Sequence, residues 1–328
     1  MTVTATVTDQ GIQRTRRRPP DRPATITAVV PSYNVASLLE RCLAALRQSD
    51  AELRTRGDRL DVVVVDNASR DGSADLVRQR FPRVTLVANP DNRGFGAACN
   101  QGAAGAGEFV LFLNPDAEVA PGALSGLLST LRARPGAAIA GPRLVYPDGS
   151  PQPTRRRFPS LDVLLLESTP LEWRRPGWGA LERYRLRGQP EVAGPVDWLS
   201  GACLLLRTAA FAAVGGFDPE FFMYFEEVDL ARRLAARGWE CWYQPAAVVV
   251  HHSSRSADQD IASRDRRYYT SKYRYVARYW GPAAAGAVRL TGGAAFGAEL
   301  AIQALRRDPP LVRRYAALTR WHLTPGGA

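Results

Sequence analysis

The sequence predicts an α/β fold, a mostly parallel sheet with helices on both faces, and three observations carry that expectation. Strand-like and helix-like stretches alternate at short intervals over residues 26–132. The strand-like stretches are short continuous apolar runs, the pattern of buried strands. Three of them end in polar clusters: Pro31-Ser32-Tyr33-Asn34, Asp66-Asn67-Ala68-Ser69 and Asn114-Pro115-Asp116. Open parallel sheets bind ligands at the carboxyl ends of their strands, so the first half of the chain reads as a nucleotide-type cleft.

The first run, 26–30, is a strand stopped by Pro31. Ser37-Leu38-Leu39-Glu40 has capping-box spacing and opens an amphipathic helix to about Arg47. Residues 60–65 form a second strand, followed by a polar turn over 66–72 and a helix to Phe81. Residues 84–88 and 109–113 are the third and fourth strands, with a helix over 94–104 between them and another over 122–132 beyond. After residue 140 the rhythm changes. Pro147-Asp148-Gly149-Ser150 is a turn between short strands, and 151–195 is loop-rich with Arg and Trp. Residues 198–207 read as a strand interrupted at Ser200-Gly201. A helix over 225–237 carries its acids at the start, and 246–250 is another buried strand. A basic, aromatic stretch over 266–280 and weakly amphipathic helices complete the chain. The expected organisation is a basic leader 1–24, a body 25–280 divided near residue 140, and C-terminal helices over 281–328.

A chain of 328 residues, 45% of them hydrophobic, buries a sizeable core without disulfides. Cys42, Cys99, Cys203 and Cys241 are scattered with no CxxC pair, so neither a disulfide framework nor a structural zinc site is expected. The net charge of +11 sits at the ends: residues 1–25 carry +3 and residues 250–328 carry +8, while 26–249 sum to zero. A nucleic-acid enzyme would show its basic surface on the core, so no nucleic-acid partner is expected. A neutral body with basic ends suits an anionic membrane surface. The first 25 residues lack an apolar stretch, and 283–305 is broken by Arg289 and Glu299 and diluted by glycine. Neither a signal peptide nor a transmembrane helix is therefore expected. The expected location is the cytoplasm, free or peripheral at the inner face of the plasma membrane.

Six motifs in order make a family resemblance. Val29-Val30-Pro31-Ser32-Tyr33-Asn34, Val65-Asp66-Asn67-Ala68-Ser69-Arg70-Asp71-Gly72-Ser73, Asn92-Arg93-Gly94-Phe95-Gly96, Asn114-Pro115-Asp116, Trp198-Leu199-Ser200-Gly201 and Phe222-Met223-Tyr224-Phe225-Glu226-Glu227-Val228-Asp229-Leu230 follow one another with fitting spacing. Together, over roughly 26–280, they resemble the family 2 glycosyltransferases, in particular the rhamnosyltransferase branch that builds bacterial cell-wall linkers and surface polysaccharides. The resemblance implies a GT-A-like catalytic domain over 25–280, with a donor half to about 140 and an acceptor half from 141. It implies direct, inverting displacement of a nucleotide diphosphate by a glycan or polyprenyl-diphosphate-linked acceptor. The donor it implies is a dTDP- or UDP-sugar, with dTDP-L-rhamnose leading by analogy.

The resemblance also assigns residues. Asp66, which alone would read as a turn cap, becomes a contact to the nucleotide base. Pro31, Tyr33, Asn34, Asn67, Asn92, Gly94 and Asn114 complete the expected donor-binding set. Asn114-Pro115-Asp116 stands where the family places its metal-binding DxD-type motif, with Asn114 in place of the first acid. Asp116 is the expected ligand for Mg²⁺ or Mn²⁺, whose charge would offset the departing diphosphate. His251 is the expected second metal or diphosphate contact; His252 follows it on extended chain and points to the opposite face. Glu226-Glu227-Val228-Asp229 crowds three acids into four residues, which raises at least one pKa if they are buried. The family's base falls at Glu227, where its usual Asp is replaced by the longer acid; Glu226 or Asp229 then orients an acceptor or an Arg. Trp198, Ser200 and Gly201 form the expected acceptor-side loop, the Trp stacking on a sugar face or else filling the core. Gly94-Phe95-Gly96 has Cys99 where a third glycine would stand, so NAD binding is not read there.

Two other functions compete with this reading. A nucleotidyltransferase needs a basic Gly-rich loop after the first strand, and Pro31-Ser32-Tyr33-Asn34 is not one. A non-enzymatic nucleic-acid-binding protein could use only the Arg-rich ends. Over 283–321, Val288, Leu290, Phe296, Leu300, Leu311 and Leu318 alternate with Arg289, Arg306, Arg307, Arg313, Arg314 and Arg320. Those helices either meet anionic lipid, pack on the catalytic domain, or form a homodimer contact.

Overall fold

A computed structural model describes residues 23–174, 177–189, 191–253 and 261–324. The expected basic leader lies outside the described residues up to residue 22; Ala24 is already buried, its amide donating to Asp58 Oδ1 at 2.8 Å. The sheet is built on β1 (Thr25–Ser32), β2 (Arg59–Asp66), β3 (Thr85–Ala88) and β4 (Phe109–Leu113), all parallel. β5 (Ala117–Val119), β6 (Ala137–Val145), β8 (Gly194–Val196), β10 (Cys203–Arg207) and β11 (Glu240–His251) extend it, while β7 (Arg155–Arg156) and β9 (Trp198–Leu199) pair separately. The order is β3-β2-β1-β4-β10-β6-β11-β5, with β8 against β11. β10 runs antiparallel between β4 and β6, so its amino end lies beside the carboxyl ends of β1, β2 and β4.

The continuous apolar runs are explained by burial on both faces. In β4, Phe109, Leu111 and Leu113 face one core while Val110 and Phe112 face the other. The first core is covered by α1 (Ala36–Arg54), α2 (Ser73–Arg80) and α4 (Ala123–Ala133). The second is covered by α3 (Phe95–Gly102), α8 (Thr208–Ala213) and α9 (Glu226–Ala235), and by the long α10 (Ile261–Trp280). Register then fixes the site: Ser32 is level with Asp66, Asp66 with Ala88, and Cys203 with Leu113.

Several local expectations are corrected. Ser37 is not a helix cap. α1 starts at Ala36 without a side-chain cap of its own, and Asp71 from the neighbouring loop accepts the Ala36 amide at 2.8 Å. The helix also outruns Arg47, because Leu46, Ser49 and Leu53 continue its buried face. The loop-rich stretch holds α5 (Leu161–Leu166), α6 (Pro170–Arg174) and α7 (Gly179–Arg185), each too short to show a helical period in sequence. The strand at 246–250 is the second half of the twelve-residue β11. Its pairing with β6 slips between Gln244 and Val248, around Pro245, which has no amide hydrogen to donate.

The chain closes with α11 (Pro282–Leu305) and α12 (Pro309–Leu323), which fold back on α10 around Tyr269, Phe296, Tyr315 and Leu318. Among the described residues, no helix is long and apolar enough to cross a membrane.

Candidate active site

A cleft of about 330 Å³ opens at the carboxyl edge of the parallel strands. Of the residues expected there, Pro31, Tyr33, Asn67, Asn92, Gly94, Asn114, Asp116, Ser200, Gly201, Glu226, Glu227 and His251 line it. The 66–73 loop is shaped by its own polar side chains. Asn34, in the left-handed region at φ 53°, takes a hydrogen bond from the Arg70 amide at 2.8 Å and donates its own amide to Ser69 Oγ at 3.0 Å. It therefore braces the loop and is not part of the cleft wall. Asp66 is buried; its Oδ2 accepts the Ser69 amide at 3.0 Å, while Oδ1 has no partner. Asn67 donates to the Gly94 carbonyl at 3.2 Å, and Asn92 Oδ1 accepts the Gly94 amide at 3.0 Å. Gly94 has φ 83°, and a Cβ there would meet the Phe222 carbonyl oxygen at 2.3 Å. Only glycine lets this loop lie against the 222–225 segment, where the Phe95 amide donates to that same carbonyl at 2.9 Å.

Asp116 and His251 meet on the opposite wall, Oδ1 to Nε2 at 3.3 Å. The register of β11 against β5 pairs His251 with Ala117, and the His252 amide donates to the Asp116 carbonyl at 2.9 Å. Gln152 sets the ring. Its amide nitrogen donates to the His251 carbonyl, so its Oε1 accepts from Nδ1 at 2.9 Å. In the neutral ring Nε2 then carries the lone pair, facing Asp116 and the Asn114 amide group, 3.2 Å from the latter. His252 points away, 2.6 Å from Glu118, which also pairs with Arg41. Sequence reasoning missed Gln152, which stands in a Pro-Gln-Pro stretch with no signal of its own. A divalent ion fits this corner: one carboxylate oxygen and one imidazole lone pair face the open cleft, leaving other positions for diphosphate oxygens and water. Among the described residues, no group of three or more His, Cys, Asp or Glu suited to a metal occurs.

The acids stand at the start of α9. Tyr224 and Phe225 take φ 70° and 66°, two successive left-handed residues that turn the chain into the helix. Such a conformation costs roughly 1–2 kcal/mol per residue and persists where surrounding packing enforces it. Glu226 is buried and Glu227 partly exposed, and each keeps an Oε2 without a partner. Burial, then the neighbouring Glu227, push the Glu226 carboxyl well above its usual range. Burial also raises Glu227, opposed by the amide of Gly201 and the charge of Arg156. Gly201 packs directly on Glu227, with 3.6 Å between the Glu227 Cβ and the place a Gly201 side chain would occupy. Arg267 from α10 adds a cation to the cleft, its guanidinium 4.7 Å from the Phe222 ring centre. The basic stretch 266–280 signalled that charge but not its direction.

Besides Asn34, two expected site residues lie elsewhere. Asp229 is fully buried behind the cleft, accepting from Arg233 at 2.7 Å, Arg278 at 2.9 Å and Tyr279 at 2.8 Å. It stands two residues beyond Glu227, about 200° around the helix, on the face that clamps α9 to α10. Trp198 is buried beside Tyr184, its indole donating to the Arg157 carbonyl at 2.8 Å, and it presents no face to the cleft.

Residues 27–215 match the family described as Glycosyl transferase family 2. The chain is a family 2 glycosyltransferase. The transferase is 36% identical over 266 residues, 77% of its length and 84% of the relative's, to the N-acetylglucosaminyl-diphospho-decaprenol L-rhamnosyltransferase of Mycobacterium tuberculosis (strain H37Rv). It is also 36% identical over 83 residues, 25% of its length and 31% of the relative's, to the rhamnosyltransferase WbbL of Escherichia coli (strain K12). These relatives put it on the rhamnosyltransferase-like branch. Its fold is that of GT-A glycosyltransferases. The mannosyltransferase PcManGT of Pyrobaculum calidifontis, solved with GDP-Man and Mn²⁺, superposes with a TM-score of 0.53 at 20% identity, covering 91% of this chain and 86% of that one. The nucleotidyltransferase and nucleic-acid-binding alternatives are not favoured by any of these matches.

Proposed function

We propose that this transferase moves L-rhamnose from a dTDP-linked donor to a sugar carried on a polyprenyl diphosphate, at an anionic membrane surface. One observation carries the reading: two adjacent acids with unpartnered oxygens, Glu226 buried and Glu227 partly exposed, share a cleft with the Asp116–His251 pair, in a chain 36% identical to a decaprenol-linked rhamnosyltransferase. Asp66 Oδ1, a buried acceptor without a donor, suits a hydrogen from the nucleobase or ribose. Asp116 and His251 would hold Mg²⁺ or Mn²⁺, which supplies charge stabilisation for the diphosphate when bound. Arg267 adds positive charge to the same cleft.

Glu227 takes the proton from the acceptor hydroxyl as its oxygen bonds to the anomeric carbon. The bond from that carbon to the diphosphate oxygen breaks, the nucleoside diphosphate leaves with the electron pair, and configuration inverts. Glu226, kept protonated by burial, donates a hydrogen bond within the cleft and does not compete for the acceptor proton. Asp229 works at a distance by fixing α9 on α10.

A thermal-shift panel of nucleotide sugars tests the reading, because donor binding raises stability by linkage. The expected result is a shift with dTDP-rhamnose and Mn²⁺ that exceeds those of UDP- and GDP-sugars, is lost in EDTA and is weakened in Asp116→Ala. A panel without any shift, or a shift indifferent to chelation, overturns the donor or the metal assignment respectively.

A further inference from the structure

A second cavity of about 430 Å³ lies against the first, and Tyr224 lines both. It is walled by α10, α11, α12 and the short helices of the 161–185 stretch. Its character differs from the donor cleft. Trp173, Tyr268, Tyr269 and Phe296 offer aromatic surfaces, with Trp173 53% exposed at the rim. Between them stand three ion pairs, Arg185 with Glu172, and Asp265 with both Arg314 at 3.1 Å and Arg264 at 3.5 Å. The polar groups are fixed by their neighbours. The Ser168 amide donates to Glu172 at 2.6 Å, and Ser168 Oγ donates to the Tyr268 hydroxyl at 3.0 Å.

Aromatic faces beside carboxylate and guanidinium groups match a pyranose ring, which has apolar C–H faces and a rim of hydroxyls that donate and accept. A prenyl chain would strand these ion pairs in hydrocarbon, and the three guanidinium groups are already engaged by the two carboxylates. The volume falls within the range of about 300–1,000 Å³ usual for small-molecule sites. Tyr224 is followed at once by Phe225, Glu226 and Glu227, so a ring seated here has the acids next along the shared wall.

We infer that this second cavity is the saccharide subsite of the acceptor, with Trp173 as the stacking platform and Tyr224 as the wall it shares with the donor cleft. The inference rests on the acceptor reading proposed above and moves the stacking role from Trp198 to Trp173. It also gives the C-terminal helices a function within the transferase: Phe296, Arg314 and Leu318 belong to the subsite wall.

The test uses the full chain, dTDP-rhamnose as donor, and N-acetylglucosaminyl diphosphate on a short prenyl chain as a soluble acceptor. Trp173→Ala should raise the acceptor KM about tenfold, while the donor KM and the donor-induced thermal shift stay within about twofold of wild type. Trp173→Phe, which keeps a ring, should restore the acceptor KM to within about threefold of wild type. An unchanged acceptor KM in Trp173→Ala overturns the inference, as does a parallel rise in donor KM or equal losses in Ala and Phe. Wild type that binds donor but never transfers to this probe overturns the acceptor reading instead, and a missing donor shift overturns the donor reading.

Discussion

Glu226 and Glu227 are neighbours in sequence and unequal in surroundings, and in the proposed mechanism that inequality divides their work. Glu226 is the more deeply buried and holds its proton more firmly; Glu227 has a supporting amide from Gly201 and the Arg156 charge nearby. A base must be ionised before it can take a proton, so Glu227→Gln should reduce transfer by about 10²–10⁴-fold, with donor affinity nearly unchanged. Glu226→Gln, isosteric with the protonated acid, should keep activity within about tenfold. Because burial raises the Glu227 carboxyl, kcat/KM should fall on acidification above the ordinary glutamate value of about 4.3. Steady-state rates of both variants across pH check this, and activity surviving in Glu227→Gln but lost in Glu226→Gln would exchange the roles. At this scale the sequence was legible where a motif sat at a strand or helix end. Asp116, His251 and the glutamates arrive together because sheet register places those ends on one edge. Asp229 and Trp198 misled because two residues along a helix from Glu227, or one step back from a loop, turn a side chain into the core. Gln152 was invisible, since its role exists only through contacts 99 residues distant in sequence.

At the scale of elements, the strands of the first half were readable almost to the residue, because unbroken apolar runs allow little else there. Helix starts were less readable. Ser37 offered a local cap, yet the amide of Ala36 is satisfied by Asp71, 35 residues away. The C-terminal helices were legible as helices but not as a packed unit. What packs them is a close approach: a Cβ at Gly292 of α11 would lie 2.8 Å from His322 of α12. His322 is buried among Tyr269, Tyr273, Phe296 and Trp321, with Nδ1 donating to the Leu318 carbonyl at 2.8 Å. Its Nε2 has no acceptor. Burial first, then the nearby Lys272 and Arg289, pull its pKa from 6.5 down to about 4. Between those values the unfolded chain takes up a proton that the folded chain refuses. Stability is therefore complete above pH 6.5 and falls as pH drops toward 4, by roughly 3 kcal/mol in all. Lys272, lowered to about 8 by its own burial, has the same sign in a separate window: stability rises with pH from about 8 toward 10.5. In melting curves across pH 4–7, His322→Gln should flatten the acid slope relative to wild type; an unchanged slope would assign the acid sensitivity to carboxylates.

For the whole molecule, the question is where the charge of the C-terminal region goes. Part of it is internal. Arg289 donates to the carbonyls of His322 at 2.7 Å and Trp321 at 3.1 Å, closing the end of α12 where the helix dipole is negative. Arg314 pairs with Asp265, and Arg278 with Asp218 and Asp229. Val288, Phe296 and Leu318 are buried, so half of the apolar positions expected to meet lipid serve the core instead. What stays outside is a narrower set: Arg306, Arg307, Arg313 and Arg320, with Leu305 85% exposed beside the first two. Arg313 and Arg320 are seven residues apart on α12 and share a face. Basic groups near an anionic leaflet contribute roughly 1 kcal/mol each and are screened within a Debye length of about 10 Å at 0.1 M salt. Four such groups should give salt-sensitive association without insertion, which would suit the proposed acceptor, a sugar anchored in the bilayer. The transferase should sediment with phosphatidylserine-containing liposomes at low salt, leave neutral ones in solution, and be released as salt rises. Changing Arg306, Arg307, Arg313 and Arg320 together to Ala should abolish sedimentation while turnover of a short-chain soluble acceptor is kept, because none of the four lines either cavity. Undiminished sedimentation of that variant would remove these arginines from membrane contact and leave α11 and α12 with the walls of the second cavity as their work.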